Sequence, residues 1–219
     1  AAHRQSDGAQ VWQHVPGNGT DGSVAVTGDA VYAALPCEDI RRLRRSDGAL
    51  VWSTPRDCHG GGGTTAVFAG GRLFTREAWP RGEVYDAGSG RRLARRRTEY
   101  PPAIAGRLGL FAEARRKNEV LPFGHRLTAR STTTGRVRWR FSGDGYLDTA
   151  PLIAGGMAYV GSGSGRVYGV SLRSGRARWS TSIGVPVHGS AEWDGGIGGL
   201  AAAGGLLVVP AYGRVVAFR

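Results

Sequence analysis

Apolar and polar residues alternate along this chain in short runs punctuated by glycine. Residues 137–141 read Val-Arg-Trp-Arg-Phe, so Val137, Trp139 and Phe141 fall on one face of an extended strand and the two arginines on the other. Other runs are nearly all apolar and turn on a glycine, as in TTAVFAGGRLFT (64–75) and APLIAGGMAYVG (150–161). Each such run predicts two strands joined by a tight turn. Many short strands joined by glycine turns predict an all-β fold.

The runs recur with a long period. Gly8 precedes Trp12 by four residues, and the same interval separates Gly48 from Trp52, Gly135 from Trp139 and Gly175 from Trp179. Gly90 holds the fifth anchor, with Ala94 in place of tryptophan. The anchors are 40, 42, 45 and 40 residues apart (48 − 8, 90 − 48, 135 − 90, 175 − 135). Upstream of each later anchor lies a strand such as GRVYGVSL (165–172) or GEVYDA (82–87), and before that a hairpin. Each unit thus offers four strands, A to D, with the anchor glycine in the C–D turn. Four-stranded units of this period predict β-propeller blades. The first D strand (9–13) is expected to have no A, B or C strand before it, and the last C strand (213–219) has no D strand after it. If the ring closes, residues 9–13 complete the last blade and give five blades. The same repeats also fit part of a larger propeller.

The anchor pattern, preceded by a G-x-V/L-Y/T-A strand, resembles the tryptophan-docking repeat of the PQQ-binding-like propellers, from Ser6 to Arg219. The resemblance implies one all-β propeller domain of four-stranded antiparallel blades over residues 1–219. It implies that Gly8, Trp12, Gly48, Trp52, Gly90, Gly135, Trp139, Gly175 and Trp179 dock blade on blade. Dehydrogenases of this fold hold PQQ above a calcium ion, with a vicinal disulfide and a Glu/Asn/Asp calcium set. Here Cys37 and Cys58 are not adjacent, and Asn18 and Asn118 sit in no calcium-binding context. No catalytic residue, metal ligand or cofactor is therefore expected. A truncated or degenerate PQQ and calcium enzyme is the alternative. HExxH, GxSxG and Walker motifs are absent, and GSGSG (161–165) precedes no helix that could receive a phosphate.

Charge adds a further expectation. The net formal charge is +12, and Lys117 is the single lysine. Arginines cluster on the C and D strands, at 41, 42, 44 and 45, at 91, 92 and 95–97, at 136, 138 and 140, and at 173, 176 and 178. They predict a positive rim, read either as protection of sheet edges or as a contact for an anionic polymer. Nucleic acid is disfavoured, because no aromatic platform is interleaved with the arginines. No transmembrane segment is expected, since the longest uncharged stretch (195–213) is rich in glycine and falls on repeat strands.

In a propeller the B–C and D–A loops share one face. That face collects His14, Asp57, His59, Asp144, Tyr146, Asp148, His188, Glu192, Trp193 and Asp194 from D–A loops, and Glu38, Asp39, Glu77, Trp79, Glu113 and Arg115 from B–C loops. Loops on a rigid scaffold are the usual seat of binding. Asp57, His59, Trp79, Tyr146, Asp148, His188 and Trp193 are the binding candidates, for a protein partner or a small ligand. Trp79 and Trp193 stand outside the docking repeat. Cys37 and Cys58 enter this face from adjacent blades, within plausible disulfide reach, which would place the protein outside the cytoplasm. The expected role is a non-catalytic interaction, ligand-sensing or envelope scaffold module.

Overall fold

The computed structural model describes residues 1–14, 22–34, 39–55, 64–76, 81–114, 125–188 and 199–219. Every regular element among them is a β-strand. The chain forms two compact units, Ala1–Arg96 and Arg97–Arg219.

In the first unit, β1 (Ala2–His3) pairs antiparallel with β2 (Gln10–Trp12). A four-stranded meander follows, built of β3 (Gly22–Val26), β4 (Ala30–Ala34), β5 (Asp39–Arg44) and β6 (Leu50–Pro55). A two-residue strand, β7 (Thr64–Thr65), joins this sheet parallel to β3. The next sheet holds β8 (Val67–Ala69), β9 (Arg72–Arg76), β10 (Arg81–Asp86) and β11 (Arg92–Arg97). Alternation along β4 buries Ala30, Tyr32 and Ala34, which pack with Ile40, Leu73, Tyr85 and Ala87.

The second unit repeats the plan. One sheet is β12 (Ala103–Ala105), β13 (Leu108–Ala114), β14 (His125–Ser131) and β15 (Val137–Phe141). The next is β16 (Leu152–Ala154), β17 (Met157–Gly161), β18 (Arg166–Ser171) and β19 (Ala177–Ser182). The last is β20 (Ala201–Ala203), β21 (Leu206–Ala211) and β22 (Arg214–Phe218). Leu110, Leu127, Ala158 and Val170 form one core, and Val167, Val187, Val209 and Ala211 the other.

One expectation needs correction. The first D strand, β2, does have a C strand before it, the two-residue β1. The first sheet therefore holds C and D, and the last holds A, B and C. β7 was not foreseen either, because its pairing with β3 lies outside the meander pattern.

The anchor glycines share one turn. Gly8, Gly48, Gly90, Gly135 and Gly175 have φ between 70° and 74°, a left-handed conformation in which a side chain would be strained. In each turn the glycine N–H donates to the carbonyl four residues earlier, at 2.8–2.9 Å. Three tryptophans then lie on the next turn along. Trp12 covers Gly48, Trp52 covers Gly90 and Trp139 covers Gly175, so closely that an added Cβ would fall 2.6–2.7 Å from the ring. Their indole N–H groups donate to the carbonyls of Arg45, Ala87 and Leu172, each three residues before the covered glycine. A register shift in the C–D pairing sits beside Trp52, Trp139 and Trp179. Such a bulge re-aims neighbouring side chains.

A candidate binding site on the loop face

Three D–A loops and one B–C loop of the second unit come together. Asp148, just before β16, is buried and holds both of its carboxylate oxygens in use. Tyr100, in the loop before β12, donates its hydroxyl to Oδ1 at 2.7 Å. His188, after β19, meets Oδ2 through Nδ1 at 2.6 Å. Buried His125, at the start of β14, lies 3.9 Å from Oδ1, pairs through Nδ1 with the Leu147 carbonyl at 3.0 Å, and meets the Tyr100 ring edge-on. A carboxylate bonded to one imidazole nitrogen fixes the ring and leaves the other nitrogen to act outward. The His188 side chain is 37% exposed.

A polar loop lies alongside. Asp144 accepts the hydroxyls of Ser162 and Ser164 and the backbone N–H of Tyr146. Burial raises the Asp144 pKa, but the two hydroxyls and the Tyr146 N–H outweigh it and hold the carboxyl below its ordinary range. The Tyr146 ring covers Gly163, where an added Cβ would sit 2.3 Å from the ring and 3.6 Å from His188. Tyr146 and His188 therefore flank one glycine of the β17–β18 loop.

The candidates fare unevenly. Tyr146, Asp148 and His188 belong to this one cluster. Asp57, His59, Trp79, Trp193, Cys37 and Cys58 lie outside the described residues, as do Glu38, Glu77, Arg115, Glu192 and Asp194. In the first unit His14 meets Arg41, which also pairs with Asp39. In the second, Glu113 is buried, accepts the Thr128 hydroxyl and pairs with Arg130 at 2.7 Å. Tyr100 and His125 were not singled out from sequence. The available signal was positional for Tyr100, which precedes β12 much as Asp148 precedes β16; His125 read only as a strand residue.

Among the described residues no three His, Cys, Asp or Glu side chains converge to hold a metal. The Asp144 oxygens accept serine hydroxyls and those of Asp148 accept Tyr100 and His188. This donor set does not fit a calcium ion, which takes six to eight oxygens, or a quinone carried on one. Also among the described residues, no helix is long and apolar enough to cross a membrane.

The repeating four-stranded antiparallel sheets and their docking turns define a β-propeller. The family profile described as outer membrane protein assembly factor BamB matches residues 1–145 and 38–219, and the chain belongs to this family. Solved structures agree on the fold. The computationally designed Ika8 protein matches over 97% of this chain and 62% of its own, at 13% identity and a TM-score of 0.74. BamB from Moraxella catarrhalis matches over 96% and 63%, at 17% identity and 0.65. The quinohemoprotein alcohol dehydrogenase ADHIIG from Pseudomonas putida HK5 matches over 92% and 40%, at 15% identity and 0.64. The chain thus spans about three fifths or less of the length of these structures. No curated protein matches by sequence.

Proposed function

We propose that this chain is a non-catalytic interaction module of the cell envelope, and that it binds a protein partner through the loop face around His188. The observation that carries the reading is the Tyr100–Asp148–His188 array. It spends a buried carboxylate on fixing the ring of a partly exposed histidine. The family description supports an extracytoplasmic setting. No bound cofactor is part of this reading.

Two measurements test it. Thermal melting with PQQ and calcium should show no shift, because a ligand that binds the folded state raises Tm. A calcium-dependent rise would restore the dehydrogenase alternative. A photocrosslinker at His188 should trap one envelope protein in cells, and the same probe at Ser174, in a C–D turn, should not. Equal trapping at both positions would remove the loop face from the proposal.

One observation favours a second reading. Arg138 and Arg140 on β15, and Arg178 on β19, are exposed on edge strands, and among the described residues no carboxylate pairs with them. In the first unit, by contrast, Arg41, Arg42 and Arg44 are paired with Asp39, Asp29 and Asp47. The unpaired set suits an anionic polymer. Heparin binding should then weaken steeply with salt and be lost on changing the three arginines to glutamine. Retention that ignores salt would end this reading.

A further inference from the structure

The C–D turns carry charge differently in the two units. In the first unit each holds one aspartate, Asp7, Asp47 or Asp86. Asp7 accepts the Ala9 N–H and pairs with Arg4 at 2.6 Å, and Asp47 does the same with Ala49 and Arg44. Asp86 accepts the N–H and the hydroxyl of Ser89. In the second unit hydroxyls take over. Thr134 and Ser174 stand one residue before their anchor glycines, where Asp7 and Asp47 stand, and accept the N–H groups of Arg136 and Arg176. The turn thus closes without a carboxylate, and the counter-charge is gone. Arg107 lies in the β12–β13 turn, and Arg136, Arg173 and Arg176 lie in the C–D turns. All four are exposed, and among the described residues no carboxylate pairs with them.

The acids of the second unit lie toward the other end of its sheets. Among the described residues they are Glu99, Glu113, Asp144 and Asp148, all on or beside the loop face. The A–B and C–D turns share the opposite face, and a 2.9 Å bond from the Thr132 N–H to the Arg107 carbonyl ties the two turns of one sheet together. The hairpin tips on that face are bare backbone, since Gly106, Gly155 and Gly156 have nothing within 4 Å of their Cβ positions. We propose that the turn face of the second unit docks on a membrane surface of anionic phospholipid. The guanidinium groups of Arg107, Arg136, Arg173 and Arg176 would meet the lipid phosphates, which suit their planar fork. A surface is the favoured occupant for two reasons. The four arginines come from the turns of two consecutive sheets, so they are spread over one face and not strung along one strand. The bare tips let that face approach headgroups with no side chain in the way. The loop face then points away from the lipid, and docking does not depend on any partner bound there.

Cosedimentation with vesicles tests this. The chain should bind vesicles of phosphatidylglycerol and phosphatidylcholine in equal parts, ignore pure phosphatidylcholine, and let go as salt rises. Each arginine near an anionic leaflet strengthens binding about fivefold. Arg136→Gln with Arg173→Gln and Arg176→Gln should therefore weaken binding about a hundredfold. The rim variant Arg138→Gln with Arg140→Gln and Arg178→Gln has the same net charge, +9 (12 − 3), and should lose less than about tenfold. Thr134→Asp with Ser174→Asp restores the carboxylate of the first unit's turns. It should keep the melting temperature, because those turns accommodate aspartate, and weaken vesicle binding more than about tenfold. No binding to the anionic vesicles, or equal binding to both kinds, would overturn the proposal. So would equal losses in the turn and rim variants, which would make net charge alone responsible. Heparin retention lost in the turn variant of a chain that ignores vesicles would assign this face to a polymer and overturn the lipid surface.

Discussion

Glycine does two separable jobs in this chain. At Gly204 the φ is positive but the space beyond the Cα is open; at Gly48 the φ is positive and the Trp12 ring fills that space. Gly204→Ala should therefore cost only the left-handed backbone, about 1–2 kcal/mol. Gly48→Ala adds a Cβ at 2.6 Å from an indole and should cost about 3 kcal/mol, read from urea unfolding. Equal costs would mean that the indole yields freely. On the loop face the fold lowers the pKa of Asp144. Its folded pKa lies below its unfolded one, because the Ser164 and Ser162 hydroxyls and the Tyr146 N–H overcome burial. The stability it contributes is complete above the ordinary carboxylate range and is lost as pH falls through and below that range. Ser164→Ala should make the acid arm of a pH–stability profile shallower, and an unchanged arm would remove the serine from the account.

At the scale of elements, sheet edges and cross-strand pairs decide what each strand contributes. Glu113 on β13 is buried beside Thr128 and Arg130 on β14. Glu113→Ala would leave the partly buried Arg130 guanidinium without its 2.7 Å partner and should destabilise the chain by about 2–3 kcal/mol in urea unfolding. The double variant with Arg130→Ala should lose less than the sum of the two singles, because both report one pair. Exact additivity would show that the pair contributes nothing beyond its separate parts. The strands were legible in sequence wherever alternation ran for several residues, as in Val137–Phe141. β1 and β7 were not, because two residues carry no period to read.

For the whole molecule, the repeat made the fold class readable: five in-phase anchors point to the four-stranded sheets that the structure contains. The loop-face cluster was only half readable. Tyr146, Asp148 and His188 stood out as polar or aromatic residues in D–A loops, while Tyr100 reaches Asp148 from 48 residues away and nothing in their local patterns links them. Cys37 and Cys58 belong to this scale too. If the pair is bridged in an oxidising compartment, denatured and unreduced protein should take up no thiol label. Reduction should then cost about 3 kcal/mol, the chain entropy of a loop of this size. Two labelled thiols would refute both the bridge and its support for an extracytoplasmic setting.

The sequence by itself determined the strand period, the glycine turns and the family, because each depends on residues within one repeat of about forty positions. Only the tertiary structure decided which side chains meet across repeats. The Tyr100–Asp148–His188 array and the seating of Trp12 on Gly48 are products of loop convergence and of which turn each indole reaches. Those depend on distances between blades, and a linear pattern of apolar and polar residues does not encode them.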